Sequence, residues 1–186
     1  MPYPSLSVEE YRKKLKAMVM EPMLQNTPDD PNTPDINERR TRCNMAVRTV
    51  VRWFGFDKWK PATLDGERAS DIWNWMSAHP EHWQPLTIPT GHPDFRAARD
   101  AAVLGQCVVA AQVNPPVGPV PKGGWAASGH VAVVAPEPDL YASGSFNARV
   151  CLLANVGGSK GNEYGISLSK CFRPDPPVGL WLLVKA

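Results

Sequence analysis

"DAAVLGQCVVAAQV" (100–113) changes character at its centre. Before it, "HPDFRAARDAAVLGQ" (92–106) has helical spacing, with His92 as a cap, Pro93 in the first turn and Gly105 as the stop. After Gly105, "CVVAAQV" (107–113) is a short, apolar, β-branched run, which is a strand signature. The chain divides here.

Upstream lie three further helices. Ser7 followed by Glu10 forms a capping box that opens a helix over about 7–20. The Pro-, Asn- and Asp-loaded "EPMLQNTPDDPNTPDINERR" (21–40) reads as a surface loop. In "TRCNMAVRTVVRWFGF" (41–56), Val47, Val50, Val51 and Phe54 recur at helical spacing and Gly55 supplies the stop. "ASDIWNWMSAHPEHW" (69–83) offers Ser70 as a cap and Pro80 as a terminator. Trp53, Trp73 and Trp75 fall on helical faces and are expected in the core.

Downstream, "HVAVVAP" (130–136), "VCLLANV" (150–156) and "LWLLVK" (180–185) repeat the strand signature between Pro- and Gly-rich turns. Helices first and strands afterwards predict an α+β fold, with a mainly antiparallel sheet and helices packed on one face. At 186 residues the chain fits one domain over 1–186, large enough for a core without staples.

Hydrophobic residues make up 43% and charged residues 20%, as in ordinary globular proteins. A formal net charge of +2 gives no electrostatic case for nucleic acid. The N-terminus lacks the apolar run of a signal peptide, and no stretch is long enough to span a membrane. Cytoplasmic synthesis is therefore expected, and a target outside would require leaderless export or phage lysis.

The four cysteines, Cys43, Cys107, Cys151 and Cys171, form no CxxC pair or dense framework. Cys107 and Cys151 sit in apolar runs and read as buried thiols; whether any pair forms a disulfide stays open. Cys43 stands at a helix start behind Arg39, Arg40 and Arg42. The partial positive charge of a helix N-terminus favours a thiolate, the reactive form. His79-x-x-His82 invites a metal reading, but Pro80 breaks the helix that would align the pair. No cysteine or acid has ligand spacing to them, so neither a metal nor another cofactor is expected.

His130 follows a small, flexible turn in "WAASGHVAVV" (125–134) and begins a strand on which it shares a face with Ala132 and Val134. Small Ala132 leaves room for a helix end to approach that face. An imidazole fixed there, within reach of Cys43, would keep the sulfur ionised. A third polar group should orient the ring. Asn155 is the one polar residue in "CLLANV" (151–156), and an unpaired buried amide costs roughly 1–3 kcal/mol, so it must find a partner. That partner is either His130 or the Gly157-Gly158 turn. Asn147 and Gln112 are weaker substitutes.

Cysteine before histidine excludes the caspase-like and chymotrypsin-like orders and matches the papain-like one. "TRCNMAVRTV" (41–50), "SGHVAVVAP" (128–136) and "LLANVGGSKGNEYGISLSKCF" (152–172) together resemble the NlpC/P60 and CHAP amidohydrolases, small bacterial and phage relatives of papain, over about 41–175. The resemblance implies a papain-like fold and cleavage of amide bonds in peptidoglycan, by an amidase or endopeptidase with catalytic Cys43, His130 and Asn155. NlpC/P60 domains prefer D-C-S/D-G and CHAP domains G-Q-C-T/V, whereas Thr41-Arg42-Cys43-Asn44 stands here, so the subfamily and the bond stay open.

The Cys43 N–H is expected in the oxyanion hole, with Asn37 where papain-like proteases carry a glutamine, and Asn44 beside it. Trp125, in the Pro- and Gly-rich loop "NPPVGPVPKGGWAAS" (114–128), would line or cover the cleft. The expected partners are peptidoglycan peptides, with an immunity protein or a phage or secretion apparatus in attendance, and the expected place of action is the periplasm or cell wall. A protein-directed protease or acyltransferase and a non-catalytic wall-binding module are the competing readings.

Overall fold

The computed structural model describes residues 6–21, 24, 43–56, 69–114, 129–157 and 161–184. The loop expected over 21–40 lies almost wholly outside the described residues, as does that over 114–128.

Helix α1 (Val8–Val19) starts where Ser7 caps it, its hydroxyl accepting from the Glu10 N–H at 3.2 Å. Tyr11, Leu15, Met18 and Val19 form its buried side. Helix α2 (Cys43–Trp53) buries Cys43, Ala46, Val47, Val50 and Val51. Gly55 stops it at φ 73°, and the N–H groups of Gly55 and Phe56 bond the Arg52 and Val51 carbonyls, a left-handed closure that glycine favours. Helix α3 (Ala69–Ala78) ends before Pro80 as expected. Ser70, however, lies inside its first turn and does not cap it.

After the short strand β1 (Trp83–Pro85) comes helix α4 (Phe95–Val103). His92 is not its cap. Pro93 forms an isolated bridge with Thr87, so the chain is extended there and the helix begins two residues later than predicted. Asp94 caps it, accepting from the Ala97 N–H at 2.9 Å.

Strands β2 (Val108–Val113) and β3 (Gly129–Val134) follow. Then come the hairpin β4 (Tyr141–Ser143) and β5 (Ala148–Val150), then β6 (Leu152–Asn155), β7 (Glu163–Ser167), the single turn α5 (Leu168–Cys171) and β8 (Gly179–Leu183). The main sheet runs β1-β8-β2-β3-β6-β7, and each of its pairings is antiparallel. The fold is α+β, as the order of patterns predicts.

Helices cover both faces, not one. Val109, Ala111, Val131, Val133 and Trp181 pack with α1, α2 and α3. Their neighbours Val108, Ala110, Ala132, Val134 and Leu180 point the other way, into a second cluster with α4, α5 and the hairpin. Strands buried on both faces read as continuous apolar runs, as 107–113 does, and need a second layer to cover them. Trp53, Trp73 and Trp75 are partly buried against the first cluster, and Trp73 meets Trp181 edge-on at 4.4 Å.

Ala132 therefore does not make room for the cysteine helix, because α2 packs on the Val131 and Val133 side. The close approach in this region is Gly129. It has φ 135°, and a Cβ there would fall 1.9 Å from the Gln112 carbonyl oxygen. Gly129→Ala is expected to destabilise the protein by at least about 2 kcal/mol, because backbone strain and a backbone clash add. Urea unfolding beside Gly91→Ala, where φ is 82° but the space is open, separates the clash from the strain common to both.

Candidate active site

Cys43, His130 and Asn155 come from three elements: the first turn of α2, the start of β3 and the end of β6. The structure brings the three together. His130 Nε2 lies 2.6 Å from Asn155 Oδ1, and the other partner of the imidazole is the Cys43 thiol. As the second residue of β3, His130 meets the thiol at the end of the sheet.

The backbone around Asn155 fixes the chemistry of the ring. Asn155 Nδ2 donates to the Gly157 carbonyl at 3.0 Å and to the Gly161 carbonyl at 2.6 Å. Carbonyl oxygens only accept, so these bonds identify the amide nitrogen and leave Oδ1 facing His130. An acceptor at Nε2 requires a hydrogen there, which leaves Nδ1 to exchange a proton with the thiol. Both partners that the sequence offers Asn155, the histidine and the glycine turn, are engaged at once.

The register explains the reach. Val133 pairs with Ala154 and Val134 with Leu153, which sets Asn155 one step further along, beside Ala132. His130 is then a diagonal neighbour, within range of long side chains. Asn155 is 1% exposed, so its three hydrogen bonds offset a full desolvation cost.

No protein-family model matches this sequence, and no curated protein does.

Burial lowers the His130 pKa, but the hydrogen bond and the charge of Cys43, helped by Asn155, outweigh it, and the net shift is upward from 6.5. Cys107 and Cys151 contrast with this. Burial pushes each of their thiols up to about 12, which leaves them neutral packing groups. All four cysteines are thiols, with no disulfide among them.

Cys43 is the first described residue of α2, in the turn where the partial positive charge of a helix N-terminus is felt. Asn44 is the second residue of α2 and half-buried. Asn37 and Trp125 lie outside the described residues. The alternatives to Asn155 are occupied elsewhere. Asn147 takes φ 46° in the β4–β5 turn, and Gln112 bonds the backbone of Arg173 and Pro176.

His79 Nδ1 bonds the Trp75 carbonyl at 2.7 Å and its ring stacks on Trp75, while His82 packs edge-on to Phe56. Among the described residues no three His, Cys, Asp or Glu converge as metal ligands, and no helix is long and apolar enough to cross a membrane.

Sequence reasoning missed Phe172. Its ring packs against His130 with centroids 5.2 Å apart. An aromatic in the turn-rich "KCFRPDPP" (170–177) carries no periodic signal that would have singled it out.

The sign of the His130 shift is testable. Removing Cys43 removes the largest raising influence and leaves burial, which lowers and is larger than the raising effect of the Asn155 hydrogen bond. In Cys43→Ala the His130 midpoint should fall below the ordinary value of 6.5, against a parent midpoint above it. Titration of the imidazole Cε1–H by NMR reads both.

Proposed function

We propose that the protein is a papain-like cysteine amidohydrolase that cleaves an amide bond in the peptide part of peptidoglycan. The observation that carries the chemistry is the chain of contacts from the Cys43 thiol through the His130 ring to an Asn155 amide held by two backbone carbonyls. The resemblance of residues 41–175 to the NlpC/P60 and CHAP amidohydrolases points to the wall peptide as substrate. The antiparallel sheet with α2 packed across its centre is compatible with the papain-like arrangement.

In this mechanism His130 takes the thiol proton at Nδ1, and the Cys43 thiolate attacks the scissile carbonyl carbon. The carbonyl electrons move onto oxygen, where the first-turn N–H groups of α2, that of Cys43 included, stabilise the negative charge. As the tetrahedral intermediate collapses, the C–N bond breaks and Nδ1–H gives its proton to the leaving amine. A thioester remains on Sγ. Water then attacks it, His130 Nδ1 takes the water proton, and breakage of the C–S bond releases the acid and regenerates the thiolate. Asn155 holds the ring through Nε2–H in both halves, as the third member of such triads does. Three proton transfers at one nitrogen require one ring position. Asn155 provides it.

No metal or organic cofactor enters these steps. On this reading the protein works in the periplasm or cell wall, and an immunity protein that plugs the cleft is the partner expected of an injected version.

Purified peptidoglycan sacculi incubated with the protein should release peptides with new amino and carboxyl ends, identified by mass spectrometry. Cys43→Ala should abolish release, and His130→Ala should lower it by roughly 10²–10⁴-fold. Asn155→Ala, which frees the ring to turn, should cost roughly tenfold to a hundredfold in kcat/KM. Intact sacculi together with cleavage or acyl transfer on protein substrates would replace the wall peptide by a protein substrate. Intact substrates of both kinds, with a Cys43 indifferent to His130, would leave the wall-binding module.

A further inference from the structure

We propose that Gln112 is a positioning residue for the Cys43–His130 pair, acting through the 172–176 segment and Phe172. This rests on the assignment of Cys43 and His130 as the reactive pair, though not on peptidoglycan as the substrate. Gln112 is the direct cross-strand partner of His130 in the β2–β3 ladder, so their side chains leave the sheet on the same face. It is 5% exposed, a buried amide in a strand whose other members are apolar.

Its polar atoms are all used on one segment. Nε2 donates to the Arg173 carbonyl at 2.6 Å and to the Pro176 carbonyl, and Oε1 accepts from the Arg173 N–H at 3.3 Å. These bonds tie to the sheet the residues that follow Phe172, whose 2% exposed ring backs the imidazole. The backbone side of the same residue is equally close-set, since only a glycine at 129 lets β3 pass the Gln112 carbonyl. His130 is thus held from two sides. Asn155 fixes its rotation through Nε2, and the Gln112 clamp fixes the wall its ring lies against.

The groups around the ring allow a clean readout. Among the described residues the titratable group acting on His130 is the Cys43 thiol from α2, whereas β6 offers the neutral Asn155 and the 172–176 segment the neutral Phe172. The Arg173 side chain is exposed. Displacing the imidazole should therefore appear in the ionisation of Cys43 rather than in a new charge.

The test is the pH profile of iodoacetamide alkylation at Cys43, mapped by mass spectrometry, in the parent, His130→Ala, Gln112→Leu and Phe172→Leu. Gln112→Leu keeps the volume and removes all three hydrogen bonds. It should move the alkylation midpoint upward by about one unit, a loss of thiolate that approaches tenfold at pH values well below the parent midpoint, and Phe172→Leu should move it the same way. Val178→Ala, a buried change in the same stretch but outside the clamp, should lower the urea midpoint and leave the profile in place.

A Gln112→Leu profile that coincides with the parent's, with only the urea midpoint reduced, overturns the positioning role. If Gln112→Leu does not fold, an unmoved Phe172→Leu profile overturns it equally. A parent whose alkylation depends on His130 but which leaves sacculi intact removes the peptidoglycan reading and leaves the clamp standing.

Discussion

The site depends on two hydrogen bonds that never touch the reacting atoms, those from Asn155 Nδ2 to the carbonyls of Gly157 and Gly161. An amide looks almost the same from either end. Here the backbone decides which end faces the imidazole, and each later step follows from that decision. Oxygen toward His130 puts the hydrogen on Nε2, a hydrogen on Nε2 leaves Nδ1 for sulfur, and in the proposed mechanism Nδ1 is the base. The glycine turn after β6 is therefore part of the site, although it meets no substrate in the mechanism above. Gly157 at φ 76° and Gly161 at φ 69° hold the left-handed conformations found in this turn, where side chains rarely fit.

The sheet supplies the ruler that such precision needs. β3 lies between β2 and β6: its first residues pair with β2 and its last two with β6. One neighbour presents Asn155 and the other Gln112, two buried amides that leave apolar strands on either side of one histidine. Each would be a liability if unpaired, and each is satisfied by loop backbone. The loops after β6 and after α5 are thereby tied to the sheet by the residues that frame the imidazole. Folding the core and ordering the site become one event.

Much of this was legible in the sequence, for physical reasons that also explain the gaps. Strands β2, β3 and β8 are buried on both faces, and burial writes itself as apolar runs. β1, β4, β5 and β7 are short and half-exposed, "WQP" and "YAS" among them, and carry no such pattern. Their pairing is decided by neighbours that no local window contains. The second layer of helix was missed because α4 reads the same whichever face it covers.

At the site, Cys43 and His130 announced themselves by position, one at a helix start and one at a strand start. Asn155 and Gln112 gave the same signal, a lone amide in an apolar run, and only the register distinguishes the one that bonds the ring from the one that bonds a loop. Phe172 had no signal at all. What sets its position is a tertiary clamp.

The electrostatics of the pair show why neither member suffices alone. Burial at the end of β3 favours a neutral imidazole, and the His130 pKa is raised because the hydrogen bond and charge of Cys43, helped by Asn155, more than offset that burial. In the proposed mechanism, attack moves the negative charge from sulfur to the carbonyl oxygen while the imidazolium stays in place until it gives up its proton. In that mechanism the first turn of α2, which carries Cys43, supplies the N–H groups for the charge in both positions. Little needs to reorganise as the charge moves. A helix end beside a paired cysteine is consequently suited to acyl transfer, whereas Cys107 and Cys151, deep in the same fold with their protons held to about pH 12, remain inert.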